Sequence, residues 1–330
     1  MLLPDPTRIQ HFVSQAEQRL NTFNPNAKPK KQRIYSFLVE DRESHFIRLE
    51  NDQGCRIGTN LSMHDLFTVD VSDGIGNTIE RYNFEAKFCA VERDLPLHTN
   101  NLLAKLSNGD DTVSVEVVNL FKAKLLNFAR NPFCITKILN TFGVLANYRP
   151  LDASQSLMFD RILTGRRPQQ ASLCSSLGIS DADYERWLKA LFMLFVPSQE
   201  DGRTILDDIA LSLFTQPLQA VMVCVCTYTE AKCLLSDRSF SLRLDEPGIV
   251  GMDFNLRSDA FISYVFADIA RLLPNFDPEL IRRYRELPRG ANVDLRFLHD
   301  DIAQLRSFNR HTIYQCHQRV FCADHSGFPL

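Results

Sequence analysis

The sequence lacks the short motifs that mark several large enzyme classes. It has no Walker-type phosphate loop, no Gly-x-Gly-x-x-Gly, no Gly-x-Ser-x-Gly and no His-Glu-x-x-His. Each of these patterns places backbone amides, a nucleophile or metal ligands in a fixed geometry. Their absence argues against an ATPase, a dinucleotide-dependent oxidoreductase, a serine hydrolase and a zincin.

Long apolar runs and an excess of one charge are also missing. Runs such as Ala190 to Val196 are far shorter than the roughly 20 residues that span a bilayer, so no membrane span is expected. The formal net charge is −3, so a nucleic-acid partner requires a local basic surface. The compact basic run from Lys28 to Arg33 contains a proline and is typical of a solvated loop.

Paired cysteine spacing is largely missing too. The nine cysteines are scattered, which favours buried thiols in a reducing compartment over a disulfide framework. Cys224 and Cys226 point to one face of a predicted strand, where core filling explains them. We expect a cytoplasmic protein, because the opening residues do not form a secretory signal. A C-terminal set has the residue types of a zinc site without its usual spacing, so no metal ligands are predicted: His311, Cys316, His317, Cys322 and His325.

Apolar periodicity predicts an α+β fold that is mainly helical, with a small mixed or antiparallel sheet. We expect a single large domain over residues 1–330; a subdivision into a β-rich part (1–75), a helical part (76–216) and an α+β part (217–330) fits the same pattern. The predicted strands cover 34–50, 66–71, 218–229, 232–237 and 240–244. The predicted helices cover 79–106 with a break at Pro96, 113–130, 133–142, 154–164, 182–195, 205–214, 259–273, 278–286 and 294–308.

A polar trio at the start of the first predicted helix is the most informative local feature. Ser14 and Glu17 fit a capping box, in which the two side chains satisfy backbone amides at a helix start. A helix from about Gln15 to Phe23 would then place His11 just outside its first turn. His11, Gln15 and Arg19 would lie on one side of this helix start.

These residues resemble the opening signature, His-x-Val-Pro-Gln-x-x-Leu-x-x-Phe, of the bacterial family numbered 4238 among the domains of unknown function, with Ser14 in place of the proline. Further landmarks of that family are similar to segments found here in the same order. They are the β-rich stretch Ile34 to Val39, the pattern Glu85, Phe88 and Glu92, the helix end Phe128 to Pro132, the segment Cys233 to Asp237 with Ser239 in place of a proline, and Asn309 to Tyr314.

The resemblance implies a grouped polar set rather than a known activity. It assigns His11, Gln15, Glu92 and Asp237 as catalytic residues, and Arg19 and Arg130 as ligand-binding residues. Such a set suits phosphodiester hydrolysis or nucleotide binding, since histidine transfers protons and arginine holds phosphate. The alternative is that these groups cap helices and form a buried network that stabilises the fold. A divalent metal ion as cofactor is left open.

Two other patterns each have a functional and a structural interpretation. Asp70 with Glu85-Ala86-Lys87 resembles a nuclease metal site, but that site requires a strand. The helical spacing around Glu85 instead turns Glu85 and Lys87 about 200° apart. Residues 170 to 188 have the pattern of a helix-turn-helix with Gly178 in the turn. Its second helix opens with acidic residues that DNA phosphates would repel, which favours a packing role with Trp187 in the core.

Two function hypotheses follow. The first is a bacterial protein of antiviral defence or stress whose polar pocket binds a nucleotide, nucleic acid or infection-derived ligand, with hydrolase or nuclease activity as its enzymatic form. The second is a non-catalytic sensor or scaffold that acts with a partner subunit. The sequence does not decide whether the protein is an enzyme.

Overall fold

A computed structural model describes residues 4–72, 79–216, 219–243, 247–272, 279 and 293–330. The strands in chain order are β1 (Ile9–His11), β2 (Arg33–Asp41), β3 (Phe46–Leu49), β4 (Cys55–Arg56), β5 (Ser62–His64), β6 (Val69–Ser72), β7 (Ile79–Tyr82), β8 (Gln219–Thr227), β9 (Leu235–Ser236), β10 (Ser241–Arg243), β11 (Ile249–Arg257), β12 (Ala260–Asp268), β13 (Val293–His299) and β14 (Arg319–Cys322). The helices are α1 (Gln15–Leu20), α2 (Glu85–Glu92), α3 (Leu95–Ser107), α4 (Ser114–Ala129), α5 (Ile135–Phe142), α6 (Ala153–Thr164), α7 (Gln170–Leu177), α8 (Asp181–Leu194), α9 (Ile205–Thr215), α10 (Ile269–Leu272) and α11 (Ile302–Gln315).

The chain forms two compact units, each assembled from three separated stretches. The first unit contains Met1–Ser14, Thr59–Arg93 and Leu125–Asp208. The second contains Gln15–Gly58, Asp94–Lys124 and Ile209–Leu330. The single domain expected from the sequence, with its subdivision at residues 75 and 216, stays a prediction.

The α+β class is confirmed, but the expectation of one small sheet was wrong. The described strands form two five-stranded sheets and two two-stranded sheets. Helical residues still outnumber strand residues. The sheet content was underestimated because several strands are buried on both faces and therefore lack the alternation of apolar and polar residues that marks a half-buried strand.

Strand β12 shows this error most clearly. The sequence predicted a helix over 259–273, yet Ala260–Asp268 pairs with β11 on one side and β8 on the other. Its residues 260–262 and 264 are fully buried, so apolar side chains cover both faces and no period-2 pattern remains. The predicted helix at 294–308 was likewise wrong at its start, where β13 occupies 293–299. The predicted helix at 278–286 lies, except for residue 279, outside the described residues.

The main sheet of the second unit has the order β10-β11-β12-β8-β13, and β13 runs parallel to β8 while the other pairs are antiparallel. Aromatic residues pack on both of its faces. On one face the Tyr264 hydroxyl donates to the Val117 carbonyl of α4, and Phe121 lies 5.0 Å from the Tyr264 ring. On the other face Phe308 of α11 stacks on Phe261 with the ring centroids 4.3 Å apart.

In the first unit α7 and α8 form the predicted helix pair. Gly178 adopts a left-handed conformation (φ 65°) after α7, and Ser180 caps α8 by accepting from the Asp183 amide. Trp187 is fully buried, and its indole N–H donates to the Ala129 carbonyl at 2.8 Å. The buried tryptophan supports the packing interpretation of this helix pair.

A fully buried ion pair lies inside the second unit. The Lys124 ammonium group contacts the Glu17 carboxylate at 2.5 Å, and both side chains are inaccessible to solvent. Lys124 also donates to the Asn255 carbonyl. Asn21 donates to the Asn255 side-chain oxygen at 2.8 Å and to the Glu17 carbonyl. The network therefore links α1, the second-unit part of α4 and β11 through hydrogen bonds that replace the lost hydration of the two charges.

We expect Lys124→Met to lower the free energy of unfolding by about 3–5 kcal/mol, because it leaves the Glu17 charge buried without its cation. The double variant Glu17→Gln with Lys124→Met should recover at least half of that loss, since no uncompensated charge remains. Urea unfolding of the three proteins measures both effects. Equal loss in the single and double variants would show that the ion pair is not the source of the instability.

Candidate functional site

Strand β7 leads directly into α2, and this junction positions Glu85 in the first unit. The Asn83 side chain accepts from the Glu85 amide at 2.9 Å, which fixes the first turn of the helix. Glu85, Phe88 and Glu92 are spaced by three and four residues and therefore share one helix face. Because Glu85 begins a helix rather than a strand, the arrangement that a nuclease-like Glu-x-Lys site requires is not formed.

Arg130 follows α4 and packs on the same face of α2. Its guanidinium group forms an ion pair with Glu92, donates to the Asn127 side chain at 2.7 Å and lies 4.8 Å from the centre of the Phe88 ring. Arg130 is 1% exposed. Two of the residues that the resemblance grouped, Glu92 and Arg130, therefore contact each other directly.

His11 approaches the same helix through its backbone. It is a buried residue at the end of β1, where it pairs with Ser62 of β5. Its backbone N–H donates a hydrogen bond to the Glu85 carboxylate. Phe12 then packs edge-on against Phe133 with the ring centroids 5.2 Å apart. We call the set His11, Glu85, Glu92 and Arg130 the Glu85 cluster.

Glu85 is the group whose protonation is most unusual in this cluster. Its pKa is about 7 instead of the ordinary 4.5, mainly because the side chain is removed from water and to a smaller extent because of the nearby charge of Asp5. The Arg130 charge and the His11 amide oppose this change but do not cancel it. Within the described residues the Glu85 Oε1 atom is buried and has no hydrogen-bond partner. Such a carboxyl exchanges a proton near neutral pH, as a general acid or base must.

Sequence reasoning did not select Glu85 as a site residue. Glu85 was part of the acidic pattern with Phe88 and Glu92, in which only Glu92 was assigned a role. It was also part of the nuclease-like pattern with Asp70 and Lys87, which its helical spacing disfavoured. The predicted helix began at residue 79, so its actual start at Glu85, two residues after Asn83, was not predicted. The burial of the Glu85 carboxyl was not predicted either, because it depends on β1 and the segment after α4, which are distant in the chain.

Gln15 and Arg19 lie in the second unit, on α1. The Arg19 guanidinium donates to the Gln15 side-chain oxygen at 2.6 Å, an i, i+4 pair on the solvent-facing side of the helix. The structure confirms that α1 begins at Gln15, and it ends at Leu20 rather than Phe23. The ligand-binding role of Arg19 and the catalytic role of Gln15 stay predictions.

Asp237 also lies in the second unit, directly after β9. Its buried carboxylate accepts three backbone N–H bonds, from His317 at 2.6 Å, Gln318 at 2.7 Å and Arg319 at 2.9 Å. Burial raises the Asp237 pKa, and these three amides lower it in part. This carboxylate therefore holds the turn between α11 and β14. Its catalytic role and its grouping with His11 stay predictions.

The described residues contain no group of three or more His, Cys, Asp or Glu side chains placed to hold a metal ion. In the same part of the chain, every helix is too short or too polar to cross a lipid bilayer. No family model, curated protein or solved structure matches this chain.

We expect Glu85→Gln to stabilise the protein above neutral pH. The folded-state pKa of Glu85 (about 7) lies above its unfolded value (4.5), so stability is greatest below the unfolded pKa and falls as pH rises toward 7. Glutamine removes this loss. The variant should gain about 1–3 kcal/mol at roughly pH 8 and almost nothing at about pH 4.5.

Urea unfolding at the two pH values measures this difference. Glu200→Gln, which changes an exposed residue of the same unit, serves as the matched control and should alter stability at neither pH. A gain at both pH values of equal size would mean that titration of Glu85 is not its cause.

Proposed function

We propose that this protein acts in bacterial defence or stress, binds a phosphate-bearing ligand such as a nucleotide, nucleic acid or infection-derived compound at the Glu85 cluster, and hydrolyses it. The observation that carries the proposal is the half-buried Glu85 side chain, whose Oε1 atom is inaccessible to solvent and whose pKa is raised to about 7. A pKa near the working pH is what a proton-transferring group requires. The resemblance to family 4238 and a cytoplasmic location belong to the same proposal.

Glu85 is the general base in this mechanism. Its carboxylate takes a proton from the attacking water, and the protonated form returns the proton to the leaving oxygen. The water attacks phosphorus, a bond from phosphorus to the water oxygen forms, and the bond to the leaving oxygen breaks. The imidazole of His11, whose backbone is fixed on Glu85, is the second proton-transferring group.

Arg130 and Glu92 set the electrostatics of the cluster. The Arg130 charge favours the ionised form of Glu85 and attracts an anionic ligand. Glu92 neutralises part of that charge and, with Phe88, holds the guanidinium group in one place. Arg130 therefore acts on the reaction through Glu85, and Glu92 holds the Arg130 guanidinium group in place. With a net charge of −3, attraction of an anion has to be local in this way.

A second candidate function is a non-catalytic sensor or scaffold that works with a partner subunit. The burial of Arg130, together with its ion pair to Glu92, favours this candidate. Buried, mutually paired charges commonly serve to specify the fold. In this case Glu85 would contribute to stability alone, and the roles proposed for Gln15, Arg19 and Asp237 would be structural.

The test is hydrolysis by the full chain of bis-p-nitrophenyl phosphate, nucleotides, DNA and RNA, each with and without Mg²⁺ or Mn²⁺. We expect Glu85→Gln to lower kcat by about 100-fold, because the base is lost. The wild-type kcat should rise with pH through about 7 as Glu85 ionises, and this rise should be absent from the variant. His11→Ala should lower kcat about tenfold or more.

Glu200→Gln is the control for surface charge and should match the wild type. Activity that is equal in the wild type and in Glu85→Gln would contradict the catalytic role. Binding of a nucleotide or nucleic acid without turnover, retained in Glu85→Gln, would support the non-catalytic candidate. Pull-down from the native host then identifies the partner subunit that this candidate requires.

A further inference from the structure

One side chain from each strand forms a line across the main sheet of the second unit. In register, Ser241 of β10 lies opposite Asp253 of β11, Asp253 opposite Ser263 of β12, Ser263 opposite Cys224 of β8, and Cys224 opposite Arg296 of β13. Residues opposite each other on paired strands face the same side of a sheet. Cys224 therefore lies between a hydroxyl group and a guanidinium group.

A second thiol lies beside Cys224 on the same strand. Cys226 is two residues further along β8 and so faces the same side, and the two sulfur atoms are 3.8 Å apart. Cys226 is 1% exposed and packs in an apolar cluster with Tyr228 and Phe261. Cys224 is half-buried, which leaves the pair approachable from its side. We call Cys224 and Cys226 the thiol pair.

Core filling, the interpretation from sequence, accounts for Cys226 and only in part for Cys224, which is half-buried at the edge of the same cluster. The neighbour of Cys224 on β13 is an arginine whose side chain is 64% exposed, so this end of the row is polar. Asp253 does not compete for a ligand at the thiol pair, because its carboxylate accepts from Arg243 at 2.7 Å and from Ser263 at 2.5 Å. The sulfur atoms of Cys224 and Cys226 are therefore the atoms at this position that could coordinate a metal ion.

We propose that the thiol pair binds one copper(I) ion in linear, two-coordinate geometry. Thiolates select soft ions such as copper(I). Two metal–sulfur bonds of roughly 2.2 Å, similar to those of zinc thiolates, span about 4.4 Å. The sulfurs at 3.8 Å need to separate by only about 0.6 Å to reach that span, a change that side-chain rotation supplies. Zinc requires about four ligands, and the described residues place no third ligand here.

The charges around the pair fit a complex of this kind. Two thiolates and one copper(I) ion carry a net charge of −1, which Arg296 and Arg243 offset in part, since Asp253 already pairs with Arg243. The hydrogen bond from Cys226 lowers the Cys224 pKa, and the two arginines lower it further against the effect of burial. The same hydrogen bond and burial raise the Cys226 pKa.

Binding exchanges protons for the metal and transfers no electrons. Two copper–sulfur bonds form, two sulfur–hydrogen bonds break, and two protons pass to the solvent. A ligand that must be deprotonated makes metal affinity depend on pH. The affinity of the thiol pair for copper(I) should therefore rise with pH.

The test is titration of the reduced full chain with copper(I) under anaerobic conditions, with bicinchoninic acid as the competing chelator. We expect one tightly bound copper(I) ion per chain, and a loss of affinity of about 100-fold or more in Cys224→Ser. X-ray absorption of the bound ion should show two sulfur neighbours at roughly 2.2 Å. Cys89→Ser changes an exposed cysteine of the first unit and should leave the affinity unchanged.

Cys224→Ala is the second variant, and circular dichroism establishes that both variants keep the wild-type fold. Unchanged affinity in the folded Cys224 variants would overturn the proposal. A coordination shell of three or more sulfur atoms would also overturn the proposal. Failure of the chain to hold any copper(I) in competition with the chelator would do the same.

Discussion

The ion pair between Glu92 and Arg130 sets the electrostatics of the Glu85 cluster. Glu92 neutralises part of the Arg130 charge, while Phe88 and Asn127 hold the guanidinium group in place. Arg130 lowers the Glu85 pKa, but by less than burial raises it. A stronger field from an unpaired arginine would keep Glu85 ionised, as nearby cations usually do. The proton-transfer role proposed for Glu85 depends on this balance between a paired cation and the cost of burying a charge.

The second unit contains the same kind of interaction in a more extreme form. Glu17 and Lys124 are both inaccessible to solvent, and Asn21 and Asn255 supply the surrounding hydrogen bonds. Lone buried charges of this kind would be strongly destabilising, whereas a paired and hydrogen-bonded set is tolerated. The sequence predicted the helix that contains Lys124 and placed Glu17 in a capping box. It could not show that they meet, because they are 107 residues apart.

Local signals predicted much of the fold. Helix α4, the β2–β3 hairpin and the α7–α8 pair were all recognised, because periodicity, turn residues and caps act over a few neighbouring residues. Strand β12 was missed for a physical reason: both of its faces are buried, so its composition resembles that of a buried helix. The extent of the sheets depends on long-range pairing, which a single sequence does not reveal.

The candidate site was predicted only in part. The part that was missed depends on contacts between residues that are distant in the sequence. The acidic pattern of α2 and the segment ending at Arg130 were identified, and Glu92 does pair with Arg130. Asp237 was identified as a polar group, but its three amide donors come from residues 317–319, so its hold on that turn was not visible. The state of Glu85 depends on burial by β1, α2 and the segment after α4. The spacing of residues along the sequence does not predict that burial.

The most direct measurement is a carbon-13 NMR titration of the Glu85 side-chain carboxyl, assigned by comparison with Glu85→Gln. We expect a midpoint near pH 7, the pKa of Glu85 in its half-buried position. A midpoint near 4.5, the ordinary value for glutamate, would show that Glu85 is fully ionised at neutral pH and would rule out its proton-transfer role.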